Sequence, residues 1–169
     1  MAKIALIGFM GSGKSSVAPL LAHKLGCTLI DTDSLILERS GFASIPLLFS
    51  DKGEIAFRDI ESEVAQSLRD SKHVVISTGG GIIGRPANME ALKNAGGLVV
   101  FLMTSFEEIQ RRLAGFEDRP LFKDPKQAAA LYQARFPIYT SYADIAVTTD
   151  GKTPEQVCAE IVATTETRV

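Results

Sequence analysis

The chain has no apolar run of twenty residues, no basic-then-apolar leader and no lipidation motif at either end. Nothing in it therefore reads as a membrane span, an export signal or a lipid anchor, and a cytoplasmic location is expected. Cysteine is scarce: Cys27 and Cys158 lie far apart, outside any C-x-x-C spacing and among apolar neighbours. That excludes a disulfide framework or a zinc ribbon and leaves two reduced packing residues. His23 and His73, the only histidines, each fall near the end of a helical stretch and before a strand, where a structural role is expected. Charge of one sign is missing as well. With 18 basic and 20 acidic residues the net charge is −2, so no overall field favours nucleic acid or a membrane surface. Repeats, low-complexity tracts and linkers are absent. What remains is a chain of 169 residues, 46% hydrophobic and 22% charged, long enough for one domain with its own core.

The most specific pattern comes first. Ile4-Ala5-Leu6-Ile7 runs directly into Gly8-Phe9-Met10-Gly11-Ser12-Gly13-Lys14-Ser15-Ser16, a G-x-x-x-x-G-K-[ST] phosphate-binding loop. Glycines let backbone N–H groups close around phosphate oxygens, Lys14 can reach the β and γ oxygens, and the Ser15 hydroxyl can ligate Mg²⁺. A helix starting near Gly13, apolar at Val17, Leu20, Leu21 and Leu25, would aim its N-terminal dipole at the same anion. Pro19 sits inside that helix and should cost about 3 kcal/mol there.

Further strand-like runs occur at Thr28–Ile30, Val74–Ile76, Leu98–Leu102 and Ile145–Val147, rich in Val, Ile and Leu without polar alternation. That composition predicts strands covered on both faces. Helical patterns separate them: Glu54 to Ser71, Pro86 to Gly96, a capping box at Ser105-x-x-Glu108, Asp124-Pro125 onward to Tyr142, and Thr153-Pro154 onward. The alternation implies an α/β fold, a parallel sheet with helices on both faces and ligands beyond the carboxyl ends of its strands. Two stretches depart from direct crossovers. Residues from about Ser34 to Gly53 form helical pieces, and 112–124, around Gly115 to Pro120, have the composition of a lid.

Asp31-Thr32-Asp33 ends the second strand, and alternation would send both carboxylates toward the phosphate site. Asp33 could instead cap a helix starting at Ser34, which would leave Asp31 unexplained. In Phe57-Arg58-x-x-Glu61 the charged pair shares one helix face, and Thr78-Gly79-Gly80-Gly81 follows the third strand. Val74-Val75-Ile76-Ser77 lacks a terminal acid, so Mg²⁺ would rest on Ser15, phosphate oxygens and water, with Asp31 reaching it through water. Arg111, Arg112, Arg119 and Arg135 gather at the lid and its hinge. Such cations suit a transferring phosphoryl group or a substrate carboxylate, and one of Arg111 and Arg112 would be merely solvated.

Together these motifs resemble the shikimate kinases, P-loop enzymes of the nucleoside monophosphate kinase group, over nearly the whole chain. The resemblance rests on Gly8 to Ser16, Asp31-x-Asp33, Phe57-Arg58-x-x-Glu61, Gly79-Gly80-Gly81, Arg119-Pro120-Leu121 and Arg135-x-Pro-x-Tyr139. It implies a three-layer α/β/α P-loop fold with a five-stranded parallel sheet in the order 2-3-1-4-5, a substrate-binding region over about 34–60 and a lid over about 112–124. It further implies ATP as co-substrate, Mg²⁺, and phosphorylation of the 3-hydroxyl of shikimate by a single-domain monomer. Under it Lys14, Asp33 and Arg119 are catalytic, with Asp33 deprotonating the hydroxyl. Gly11 to Ser16, Arg112 and Arg119 would bind nucleotide, Arg112 beside the adenine. Asp33, Arg58, Gly79, Gly80, Gly81 and Arg135 would bind shikimate, the arginines at its carboxylate, with Ile45 and Phe57 lining its ring. Lid residues Ala114 to Asp118 and Phe122 depart from the family pattern. Another small-metabolite kinase, for gluconate or a nucleoside monophosphate, would lack this combined set. A switch GTPase would need an Asn-Lys-x-Asp motif, which is absent, and a non-catalytic nucleotide-binding module would be expected to have lost Lys14, Asp33 or an arginine.

Overall fold

Five short strands set the frame: β1 (Lys3–Ile7), β2 (Thr28–Asp31), β3 (Val74–Ser77), β4 (Leu98–Met103) and β5 (Ile145–Thr148). In the computed structural model, which describes residues 3–114 and 124–166, every pairing is parallel and the order is β2-β3-β1-β4-β5. Ala5 of β1 pairs with Ile76 on one side and Val99 on the other. The helices are α1 (Lys14–Leu25), α2 (Thr32–Ser40), α3 (Ile45–Ser67), α4 (Pro86–Lys93), α5 (Phe106–Leu113), α6 (Pro125–Tyr142) and α7 (Pro154–Glu166).

Strand side chains alternate between two cores. Ala5, Ile7, Ile76, Val99 and Phe101 pack with Val64 of α3, Met89 of α4 and Tyr139 of α6. Ile4, Leu6, Val75, Val100 and Leu102 pack with Leu21 of α1 and Ile161 of α7. Double-sided burial holds for β1, β3 and most of β4, whereas the edge strands depart from it: β5 alternates buried and exposed, and β2 exposes Thr28 and Leu29. An edge has one neighbouring strand and less helix above it, so apolar composition alone does not report its exposure.

Helix starts follow their caps. Asp31 is the N-cap of α2, its Oδ1 accepting from Ser34 N at 2.9 Å. The helix thus begins at Thr32, two residues earlier than a cap at Asp33 would require. Ser105 caps α5 by accepting from Glu108 N at 3.2 Å, but the Glu108 carboxylate goes to Arg111 and Arg112, so the capping box is half formed. Thr153 and Gln156 form a reciprocal one at the start of α7. Within α3 the helix breaks at Gly53 (φ 83, ψ 172), a backbone setting that favours glycine. Residues 45–52 therefore form a separate piece over the pole where β1 to β3 end.

At the opposite pole the buried Lys3 ammonium donates to the carbonyls of Arg69 (2.8 Å), Ala91 (2.9 Å) and Asn94 (3.3 Å). Burial lowers its pKa from the ordinary lysine value. Pro19 lies within α1, which continues through it, and both Pro19 and Ser15 are exposed. The Ser15 carbonyl, deprived of its i+4 donor, can turn to water. Pro19→Ala restores that bond and should raise the unfolding free energy by about 1–3 kcal/mol. An unchanged midpoint in urea denaturation would show that the native backbone already absorbs the proline.

Candidate active site

Because β1, β3 and β2 are neighbours, the segments that follow them converge at one end of the sheet. After β1 the chain turns through Gly13 (φ 97) into α1, a left-handed conformation that a Cβ would strain. Lys14 is nearly buried, its ammonium donating to Gly8 O at 2.6 Å, Phe9 O at 2.9 Å and Ser12 Oγ at 3.3 Å. A cleft runs from this loop, past Gly11, Gly13, Lys14, Ser15 and Ser16, to Asp31, Asp33, Ser77, Gly79 and Gly80. Both aspartates thus reach it, although by a route other than strand alternation: Asp31 ends β2 and Asp33 stands in the first turn of α2.

Burial raises the pKa of Asp33 above its ordinary value, neighbouring Asp31 raises it further, and Lys14 and Arg58 pull the other way. A carboxylate with enhanced proton affinity suits a general base. Asp31 is partly spent as a cap. Asp31, Asp33 and the Ser15 hydroxyl offer hard oxygen donors of the kind Mg²⁺ takes. Among the described residues no group of three or more His, Cys, Asp or Glu is placed to hold a metal.

The glycine triplet is where the remaining predicted residues meet. A Cβ on Gly79 would stand 2.9 Å from Asp33 Oδ1, and one on Gly80 would stand 3.5 Å from Arg135 Nη1. On Gly81 it would fall onto the Arg58 guanidinium. Three side chains, from α2, α6 and α3, converge on the bare loop. Tyr139 holds it from below, its hydroxyl donating to Gly80 O at 2.5 Å, and burial pushes that phenol up to about 12. Tyr139 stood in the sequence motif without a role.

Arg58 Nη1 bonds Glu61 Oε2 at 2.7 Å. Glu61 is 1% exposed and its Oε1 has no hydrogen-bond partner among the described residues. Burial raises its pKa, which Arg58 counteracts, so this i,i+3 pair is no solvated surface pair. Beside it a cavity is lined by Ile45, Pro46, Phe49, Ser50, Glu54, Arg58, Leu131 and Arg135. Ile45 is among its lining residues. Phe57, in contrast, is buried behind Phe49, with the rings 4.5 Å apart, and it is Phe49 that faces the cavity.

A second cleft lies on the far side of the phosphate loop between Ser12, Ser16 and Arg112, residues expected at the nucleotide, and a wall from Thr149 to Pro154 that the sequence motifs did not signal. Arg112 spans its floor, donating to Gly11 O (3.4 Å), Ser12 O (3.3 Å), Thr149 O (2.9 Å) and Glu108 Oε1 (2.8 Å). Arg111 is the solvated member of the pair, 71% exposed at its side chain and bonded to Glu108. The two guanidiniums hold the Glu108 carboxyl down at about 2. Arg119 and the remainder of the expected lid, residues 115–123, lie outside the described residues.

The shikimate kinase family model matches residues 10–166. A shikimate kinase of Geobacter sulfurreducens is 45% identical over 161 residues, covering 94% of this chain and 87% of the relative. That of Persephonella marina is 42% identical over 163 residues, covering 96% and 98%. A solved structure of a shikimate kinase from Acinetobacter baumannii in complex with shikimate superposes with a TM-score of 0.91 at 32% identity, covering 99% of this chain and 94% of that one.

Proposed function

The chain belongs to the shikimate kinase family, and we propose that it transfers the γ-phosphoryl group of ATP to the 3-hydroxyl of shikimate, giving 3-phosphoshikimate and ADP. This step belongs to aromatic amino-acid biosynthesis. The observation that carries the reading is the glycine triplet, against which one carboxylate and two guanidiniums converge beside the phosphate loop.

The base of ATP would occupy the cleft between Arg112 and Thr149 to Pro154, with the phosphates along Gly11 to Ser16. Lys14 would exchange the Gly8 and Phe9 carbonyls for β and γ oxygens. The Ser15 hydroxyl would hold Mg²⁺, with Asp31 reaching it through water; the cation neutralises charge on the phosphates. Arg58 and Arg135 would take the shikimate carboxylate, a task for planar guanidiniums. Asp33 would hold the 3-hydroxyl in line with Pγ. As the new O–P bond forms and the bond to the bridging oxygen breaks, the hydroxyl proton passes to Asp33 and the electron pair leaves with ADP. Arg119 would add a cation over the transferring group. We further propose a cytoplasmic monomer that binds neither nucleic acid nor lipid, a reading supported by the balanced charge of the chain.

A coupled ADP-release assay with Mg²⁺, ATP and shikimate, run beside gluconate and AMP, tests the reading. Shikimate should be strongly preferred, and equal turnover of gluconate overturns the assignment. Arg58→Ala and Arg135→Ala should each weaken shikimate by about 1.5–3 kcal/mol, the range for charged hydrogen bonds, with nucleotide affinity barely moved. Shikimate methyl ester should bind poorly to the parent protein and lose little more in these variants; an ester as good as the acid would assign the arginines another task.

A further inference from the structure

Arg58 is held at both ends, and one of the two holds comes from outside its own helix. Its guanidinium bonds Glu61 and rests over Gly81. Its backbone carbonyl accepts from Arg85 Nη1 at 3.2 Å, and the same Nη1 lies 3.1 Å from Ser62 Oγ. Arg85 Nη2 pairs with Asp59 Oδ1 at 2.8 Å. Arg85 thus grips α3 at three points, on residues 58, 59 and 62. It does so from a fixed base: Pro86 follows it, which restricts Arg85 to extended backbone, and its φ of −127 and ψ of 120 lie there. Between Arg85 and the glycine triplet stands one short turn, Ile82 to Gly84, whose Ile82 carbonyl accepts from the buried Asn88 Nδ2 at 3.1 Å. Gln66 Nε2, bonding Ala87 O at 2.9 Å, adds a second tie between α3 and the start of α4.

We propose that Arg85 is a positioning residue for the substrate carboxylate, acting through Arg58 by locking α3 in register with the loop that presents Gly80 and Gly81. A carboxylate shared between guanidiniums on two different helices tolerates only about 0.5 Å of misplacement. The planar fork of Arg85 fixes one of those helices against the loop, which lysine, with a single ammonium, cannot do. This inference rests on the reading of Arg58 as a carboxylate partner.

The test compares the parent protein with Arg85→Ala and Arg85→Lys, using steady-state kinetics and calorimetric binding. The ligands are shikimate and the analogue in which a hydroxymethyl group replaces the carboxylate. The alanine variant should raise KM for shikimate about tenfold, more than kcat falls, with KM for ATP unmoved and the lysine variant recovering only part of the loss. Binding of the hydroxymethyl analogue should be the same in all three proteins. If Arg85→Ala fails to fold, the lysine variant alone decides by the same comparison. Unchanged shikimate binding, or an equal loss with the analogue, overturns the proposal and makes Arg85 a general support of the pocket. A parent protein that ignores shikimate sinks the functional reading, and this inference with it; a parent that turns it over leaves the variants to decide Arg85 alone.

Discussion

Lys14→Ala should reduce shikimate-dependent ADP release by about 10³ in kcat, the upper range for removing one donor from a developing anion. The charge that builds on the β–γ bridge would lose its nearest cation. The alanine also removes the ammonium that bonds Gly8 O and Phe9 O, so loop order and catalysis fall together. Lys14→Met separates them in part, because it keeps the aliphatic stem within the loop but not the charge. Both variants should stay folded by circular dichroism and lose rate alike. A variant keeping more than about a tenth of parental kcat would move Lys14 out of the transition state.

Asp33→Asn should lower kcat by about 10²–10⁴, the span for loss of a general base, with KM for shikimate less affected because the amide keeps the hydroxyl in place. The parent protein should show an acid limb in kcat/KM above the ordinary carboxylate range, because burial and Asp31 raise the proton affinity of Asp33. The linkage sign for stability is the reverse of a salt-bridged aspartate. With its pKa raised on folding, the native state binds more protons than the unfolded chain between the two values. Stability then falls as pH rises through that window, and ionised Asp33 is a net cost at neutral pH. Asp33→Asn should therefore melt higher at pH 7 while reacting far more slowly, and the difference should shrink in acid. Equal melting temperatures at pH 7 would show that Lys14 and Arg58 fully offset the desolvation. Near-parental kcat would remove Asp33 from the chemistry.

The parts of this protein that could be read from residue types are those whose chemistry demands particular atoms at particular spacings. The phosphate loop needs bare backbone and one lysine, and Gly8 to Ser15 supply both within eight residues of one strand. The parallel strands of the interior were legible from unbroken apolar runs. Strand order was not, since nothing local in a strand names its neighbour; the order came from the resemblance. Asp31 and Asp33 show a different limit. Both are good caps, two residues apart, and only the register of β2 against β3, which pairs Asp31 with Ser77, decides which of them starts α2. The choice between Arg111 and Arg112 likewise depends on helix rotation, which turns one toward the Gly11 and Ser12 carbonyls and the other to solvent. The cleft at Thr149 to Pro154 left no trace, because much of what builds it is backbone. Phe49 and Phe57 were indistinguishable for a similar reason: both are apolar, and the break at Gly53 sets which of them faces the cavity.

The two ammonium groups enclosed at opposite ends of the sheet have a chemical consequence. Acylating reagents attack the neutral amine and need room to approach it. Lys3 and Lys14 are 2% and 8% exposed, each bonded to backbone carbonyls, so neither offers a nucleophile to such a reagent in the folded protein. Lys52, with a side chain 58% exposed, and the exposed Lys126 do. Surface coupling through lysine, whether to a dye or to a solid support, would thus draw on such exposed side chains and spare the two enclosed ammonium groups, Lys14 of the phosphate loop among them.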